Sequence, residues 1–469
     1  MIPEGPAQKA LLSGLPSVDE VLKSPDGRRW ISQFPRKIVL LAVRDVIAER
    51  RAALLSGKTA ELSPESLAGD IRQRISKLSS FSLLPLINAT GIVIHTNLGR
   101  AVLSEKVLKN VVEASGSYSN LEYDVASGKR GQRHTHTKRL LREITGAEDA
   151  LIVNNNAAAV FLCLNTVARA GEVIVSRSEL VEIGGSFRIP DVMAASGAVL
   201  REVGTTNKTH LRDYEESISE NTALILKVHQ SNYRITGFTE SVEIKDLVSL
   251  GRKHEIPVMF DLGSGCLIDL RPYGIHDEPS VSQIVETGAD IISFSGDKLL
   301  GGPQGGIILG KKRYVEKIQK NPLARAVRID KLAIAAFEAT LMEYMDTENA
   351  KREIPVLAML LQAPGEMEMR AKKIASALRR KAGEKDIRVI RDSSKAGGGS
   401  LPEVEFPTYA VAIKPSGISV NELEARLRNG SPPVIARIRE DSLLLDMRTV
   451  REREIDDIVR AVVASLSAG

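Results

Sequence analysis

Residues 293–306 read SFSGDKLLGGPQGG: an apolar strand (Ile291 to Phe294) runs into a Ser-Gly turn, Lys298 sits at that turn, and glycines lead into a second apolar strand (Gly306 to Leu309). A lysine at a strand end, flanked by small residues that allow close backbone approach, suits a lysine that must meet a bulky planar partner. In a Gly-rich turn a lysine is by itself ordinarily just exposed. Its companions in the chain change that reading. Thirty-seven residues earlier, VMFDLGSG (Val258 to Gly265) ends another buried strand in a carboxylate, Asp261, which alone would read as a helix N-cap or turn residue. In LIVNNNAAA (Leu151 to Ala159) a strand passes through three Asn into an Ala-rich helix, whose free N–H groups and positive dipole bind a phosphate without any charged side chain. LKVHQSNYRITG (Leu226 to Gly237) brings imidazole, hydroxyl and amide groups to one more strand end.

The surrounding texture supplies the architecture. From Pro85 onward, short runs rich in Val and Ile (Ala150 to Val153, Val173 to Val175, Thr222 to Val228, Pro257 to Phe260, Ile291 to Phe294, Gly306 to Leu309) alternate with helix-length patterns. Such runs imply crossover units and a mostly parallel sheet covered on both faces, with a catalytic centre where loops leave the carboxyl ends of the strands. Phosphate loop, polar strand end, Asp and Lys, in that order and each at a strand end, describe the large domain of a fold-type-I pyridoxal-phosphate enzyme. There Lys298 would hold the cofactor covalently, and Asp261 would pair with the pyridine nitrogen and keep it protonated, which makes the ring an electron sink.

On the N-terminal side, residues 16–80 read as helices. Pro35 to Leu55 places Ile38, Leu41, Val43, Ile47, Ala53 and Leu54 near a helical period, and Ser17 with Glu20 resembles a capping box. On the C-terminal side, from about Met342, helices (Ile354 to Leu361, Met367 to Leu378) precede a Gly-rich linker, Ala396 to Ser400. Strand-like pieces follow (Tyr409 to Ile413, Pro433 to Ile438, Ser442 to Met447), mixed with two helices, Val420 to Leu427 and Glu452 to Leu466. The expected organisation is α/β: a helical basic domain over 1–80, a large pyridoxal-phosphate-binding catalytic domain over 81–340, and a small C-terminal α/β domain over 341–469. No internal repeat is present.

Composition bounds the class. With 469 residues, 43% apolar and 26% charged, the chain is neither disordered nor collagen-like. Its two cysteines, Cys163 and Cys266, form no CxxC or Cys/His pair, so neither a zinc site nor a disulfide framework is indicated and a reducing, cytoplasmic setting is the default. Met1 to Ala10 lacks the features of a signal peptide, and the early apolar run Ile38 to Val43 is too short to span a bilayer. The net charge is +5, and residues 1–80, with 13 Lys+Arg against 9 Asp+Glu, carry +4 of it. A small basic module on a neutral body is one way to hold a polyanion; a solvated helical face gives the same count, and charge alone does not choose.

Longer motifs narrow the reading. PLINATGIVIHTNLGR (Pro85 to Arg100), NLEYD (Asn120 to Asp124), VNNNAAAV (Val153 to Val160), VEIGGSFRIPDVM (Val181 to Met193), GTTNKTHLRDY (Gly204 to Tyr214), SNYRITGF (Ser231 to Phe238), DLGSG (Asp261 to Gly265), SGDKLLGGPQGGII (Ser295 to Ile308), NPLARAVRIDK (Asn321 to Lys331) and PPVIARIREDSLLLDMRTV (Pro432 to Val450) together resemble the bacterial selenocysteine synthases, the L-seryl-tRNA(Sec) selenium transferases. The resemblance runs from about Pro16 almost to the C-terminus. Two departures are Ser178, where the family pattern has glycine, and Cys266, where it has serine. The resemblance implies conversion of L-seryl-tRNA(Sec) to L-selenocysteinyl-tRNA(Sec), with pyridoxal 5'-phosphate on Lys298 and Asp261 on its ring nitrogen. It further implies that the backbone of Asn156 and Ala157, helped by Ser295, holds the phosphate, and that His229 or Asn232 contacts the ring or its hydroxyl. Arg100, Arg325 and Arg328 match positions that cradle the selenophosphate anion; read without the family, Arg325 and Arg328, three apart on a helix, would make ordinary surface ion pairs.

The same resemblance implies a homodecamer built as a pentamer of dimers, with sites at dimer interfaces. Arg100 or the Arg325/Arg328 pair would then face the other chain's Lys298. A rival reading keeps fold and cofactor but makes the chain a lyase of a small amino acid or amino-sugar acid without tRNA; the basic N-terminal module over 1–80, which the resemblance implies is a tRNA-binding domain, argues against it. A non-catalytic tRNA-binding protein on a degenerate enzyme fold is argued against by the intact Asp261, Lys298 and phosphate loop.

Overall fold

Four helices at the N-terminal end follow from local signals. Ser17 and Glu20 form the capping box that opens α1 (Val18–Lys23); Ser24 caps α2 (Pro25–Gln33); α3 spans Arg36–Leu55; and Ser63, with Pro64 behind it, starts α4 (Pro64–Ser79). The computed structural model describes residue 12 and residues 14–56, 61–183, 187–382 and 386–467. The leader reading of Met1 to Ala10 and the residues Gly184, Gly185 and Ser186 of the 181–193 motif lie outside the described residues. The chain divides into two compact units, Met1–Pro85 and Leu86–Gly469.

In the first unit Val21, Trp30, Val39, Val43, Ile47, Leu67 and Ile71 form one apolar core. Arg50 ties α3 to α4 through Asp70 and Ser66, and Arg74 returns the link to Asp45 and Glu49.

The second unit is organised by a seven-stranded sheet: β1 (Asp149–Val153), β2 (Glu172–Ser176), β3 (Val199–Val203), β4 (Thr222–Val228), β5 (Val258–Gly263), β6 (Ile291–Ser295) and β7 (Gly306–Gly310). Their order is β1-β7-β6-β5-β4-β2-β3, all parallel except β7, which runs antiparallel to both neighbours. Alternate side chains feed two cores on opposite faces: Ala150 and Ile152 with Phe260 and Phe294 on one, Leu151 and Val153 with Met259 and Ile308 on the other. Burial on both faces is why these strands read as unbroken apolar runs. The sequence reading missed β3, because at the sheet edge Val199, Arg201 and Glu202 are exposed and the apolar run is interrupted.

The C-terminal portion adds a four-stranded antiparallel sheet of β8 (Ile387–Gly397), β9 (Ser400–Ile413), β10 (Arg437–Arg439) and β11 (Ser442–Asp446), in the order β8-β9-β11-β10. The segment expected to be a linker, Ala396 to Ser400, is instead the tip of the long β8–β9 hairpin, with Gly397 paired to Ser400. The tip is tied down by Ile94, whose N–H donates to the Ala396 carbonyl at 2.7 Å.

Arg448, whose partner the sequence left open, proves structural. It is 2% exposed and donates to the carbonyls of Met359 (2.6 Å), Leu360 (3.1 Å) and Pro407 (2.7 Å). Arg448→Ala removes three hydrogen bonds to backbone carbonyls, leaving that of Met359 only the bond from Gln362 Nε2 (3.1 Å) among the described residues, and is expected to cost roughly 3 kcal/mol of stability, read as a lower urea midpoint by circular dichroism; Arg448→Lys recovers little, because a point charge cannot reproduce the fork.

Candidate active site

The carboxyl ends of four strands converge through their register. Asp261 on β5 pairs laterally with Val228 on β4 and Ser293 on β6, and Ser295 on β6 pairs with Gly306 on β7, which in turn pairs with Val153 on β1. Gly306 permits this closeness: a Cβ there would lie 2.1 Å from the Asn155 carbonyl oxygen, so only glycine lets β7 pass the Asn-rich turn.

Lys298, in the turn after β6, is 6% exposed, and its amine makes no hydrogen bond or ion pair among the described residues. Burial pulls its pKa below the usual lysine value, with Asp261 and Asp297 opposing. Asp261 is buried too. Burial pushes its carboxyl up, while hydrogen bonds from Asn156 Nδ2 (2.8 Å) and Ser293 Oγ (3.1 Å), both to Oδ1, pull it back. Asn155 caps the helix that follows β1, α5 (Asn156–Val167), by accepting from Ala158, and the Asn156 and Ala157 N–H groups are left without a partner among the described residues. The Ser295 hydroxyl, 9% exposed by residue, is likewise unbonded among them. His229 stands edge-on to Phe260; its backbone N–H donates to the Asp261 backbone carbonyl (2.9 Å), and its ring Nε2 lies 3.4 Å from Glu278. The Oδ1 atoms of Asn156 and Asn232 are buried without a hydrogen-bond partner.

This donor set fits pyridoxal phosphate. It offers an unbonded buried amine, a buried carboxylate that lacks a cation, two free N–H groups at a helix start, and orphaned amide oxygens. Among the described residues no group of three or more His, Cys, Asp or Glu is placed to hold a metal ion. Both cysteines are free and fully buried, and burial raises both thiols, Cys266 to about 12, so neither is a thiolate near neutral pH.

The arginines separate. Arg100, at φ 60°, donates Nη1 to Asp297 Oδ2 at 2.7 Å, directly beside Lys298. Arg325 lies on the short helix Leu323–Ala326, exposed and without an ion pair among the described residues. Arg328 is not on that helix: its backbone bridges Val153 at the end of β1, and its Nη1 reaches Glu122 at 3.3 Å, a carboxylate shared with Arg133. No hydrogen bond or ion pair among the described residues joins Arg325 or Arg328 to Lys298.

Residues 86–451 match the family described as L-seryl-tRNA selenium transferase, and residues 12–51 match the selenocysteine synthase N-terminal family. The chain belongs to the L-seryl-tRNA selenium transferase family. It is 48% identical to the L-seryl-tRNA(Sec) selenium transferase of Alkaliphilus metalliredigens, covering 96% of this chain and 98% of that one, and 49% identical to that of Aquifex aeolicus, covering 98% and 100%. A solved structure of D-glucosaminate-6-phosphate ammonia-lyase superposes with a TM-score of 0.57 at 21% identity, covering 82% of this chain and 96% of the lyase, which is likeness of fold.

Within this member the two departures are locally satisfied. Ser178 shares a hydrogen bond with Ser176 (2.8 Å), and Cys266 Sγ lies 3.2 Å from the Ile268 carbonyl. Sequence reasoning missed Asp297, Ser293 and the Asn156 side chain as parts of the site. Asp297 could have been found from its place directly before Lys298; the other two act through contacts across strands that no spacing reveals.

Proposed function

We propose that Lys298, Asp261 and the start of α5 convert L-seryl-tRNA(Sec) to L-selenocysteinyl-tRNA(Sec): the serine β-hydroxyl leaves as water, selenium from selenophosphate bonds to the β-carbon, and the P–Se bond breaks with water taking the phosphoryl group as orthophosphate. The observation that carries the residue assignment is the buried, unbonded Lys298 amine at the strand end, with the Asp261 carboxylate acting on it. Pyridoxal 5'-phosphate is the cofactor, and when bound it supplies an electron sink for charge developing at the serine α-carbon. Lys298 holds it, and the amine, once free, takes the α-proton and returns it; burial favours the neutral form this requires. Asp261, steadied by Asn156 and Ser293, would pair with the ring nitrogen and keep it protonated. The Asn156 and Ala157 N–H groups, with Ser295, hold the phosphate, and His229 or Asn232 contacts the ring or its hydroxyl. Arg100, oriented by Asp297, binds the selenophosphate anion together with Arg325 and Arg328. The seryl carboxyl is esterified, so these guanidinium groups are not needed to clamp it. Incubation with seryl-tRNA(Sec) and selenophosphate, following the esterified amino acid, tests the reading; turnover of free serine without tRNA would favour the lyase.

The first unit is the tRNA grip. Its exposed Arg28, Arg29, Arg36, Lys37, Arg44 and Arg51 make no ion pair among the described residues, whereas Asp19, Asp45, Glu49 and Asp70 are already paired. Deleting residues 1–85 is expected to leave cofactor absorbance intact and to weaken tRNA binding by at least about a hundredfold, and full-length binding should fall steeply with salt. Filter binding at two ionic strengths reads both.

The assembly is a homodecamer, a pentamer of dimers, in the cytoplasm. Exposed Leu108, Val112, Tyr118, Val125 and Leu332 in the second unit support burial against further copies, and exposed Arg325 is free to serve a neighbouring site. Sedimentation velocity tests the size. No described helix is long and apolar enough to cross a membrane.

A further inference from the structure

We propose that Gly399 is a specificity-determining residue that keeps the space beside Lys298 open for a substrate whose carboxyl group carries an ester; this rests on the seryl-tRNA reading above. The tip of the β8–β9 hairpin holds three successive glycines at φ 79°, 63° and 70°. The first two are explained by packing: a Cβ on Gly397 would lie 2.3 Å from Ile92 Cγ2, and one on Gly398 would lie 2.6 Å from Ile94 Cγ2. Gly399 differs. A Cβ there would stand 3.2 Å from Asn232 Cβ, tight enough to make Asn232 shift, and 3.7 Å from Lys298 Nζ, in van der Waals contact with the lysine amine.

Two polar atoms at this place are buried without a partner among the described residues, Asn232 Oδ1 and the hydroxyl of Ser400, a residue 2% exposed. Buried polar atoms are ordinarily satisfied, so both point to a polar group of a ligand. The strand leaving the tip, Leu401 to Val404, lines a cleft of about 1150 Å³ together with His229, Gln230 and Phe260. A free amino acid presents a compact carboxylate, whose natural partner is a cation. Residues 396–401, AGGGSL, contain none, and Arg100, the guanidinium beside Lys298, is already engaged by Asp297. An ester presents a neutral carbonyl, to which the unbonded Ser400 hydroxyl can donate, and a bulky alcohol, which matches a wall of glycines; Asn232 Oδ1, an acceptor, is left for a donor of the cofactor or of the seryl group.

The experiment compares three probes on the cofactor-loaded chain: hydroxylamine, which releases the cofactor and has no carboxyl; L-serine methyl ester; and seryl-tRNA(Sec). In Gly399→Ala, the rate of absorbance loss with hydroxylamine stays within about twofold of the parent, while the spectral response to the methyl ester weakens and kcat/KM for seryl-tRNA(Sec) falls at least about tenfold. Gly417→Ala controls for backbone strain, because Gly417 has φ 88° and nothing within 4 Å of its would-be Cβ; it should behave as the parent. Should alanine disrupt folding, Gly399→Asn, which tolerates the left-handed region, carries the same test with a larger loss. Equal losses with all three probes, or no loss with seryl-tRNA(Sec), overturn the proposal. A parent chain that converts no seryl-tRNA(Sec) would instead overturn the functional reading, while the ratio of methyl ester to hydroxylamine would still report on Gly399.

Discussion

Lys298→Ala lowers conversion of seryl-tRNA(Sec) by at least about a thousandfold, the combined scale of losing a covalent anchor and a positioned proton carrier. The amine sits in the turn after β6, 6% exposed and unbonded among the described residues, so nothing else in the chain is held by it. Removing a desolvated, unpaired amine relieves a burial penalty. Compared with the cofactor-free parent, the variant is therefore expected to unfold at the same temperature or above, while losing both the visible absorbance of the bound cofactor and turnover. Calorimetry, absorbance and aminoacyl-tRNA analysis on one preparation check all three. Near-parental turnover would remove Lys298 from the chemistry; loss of turnover with a collapsed unfolding temperature would make the lysine structural instead.

What the sequence revealed of the fold and site follows from where burial is two-sided and where chemistry is local. β1, β2 and β4 to β7 are apolar on both faces and could be read within a few residues, whereas edge strand β3, with Arg201 and Glu202 exposed, could not. The Ser17/Glu20 box was legible because cap and partner lie three residues apart. The hairpin tip was misread because AGGGS has the composition of a linker, and its role comes from a long-range tie to Ile94 that composition does not encode. Arg325 and Arg328 looked like neighbours on one helix. The helix ends at Ala326, and the two side chains have different fates, one exposed and one on Glu122.

Asp261→Asn keeps nearly the same shape and still accepts from Asn156 and Ser293, but it cannot carry the charge that would keep a ring nitrogen protonated. The expected result is retained cofactor absorbance with turnover lower by about 10²- to 10³-fold, the range for removing one preorganised electrostatic partner of a transition state. Asn156→Ala acts on the same carboxylate from the other side. Burial already pushes Asp261 up, and the Asn156 hydrogen bond is the largest force pulling it back, so its loss raises the carboxyl further and costs about tenfold. Because both substitutions work through one charge, they should not multiply: the double variant should be no slower than Asp261→Asn by more than about twofold. Fully multiplicative losses would separate Asn156 from Asp261 and leave the amide acting through the helix start alone. Near-parental turnover in Asp261→Asn would remove the carboxylate from the ring nitrogen altogether.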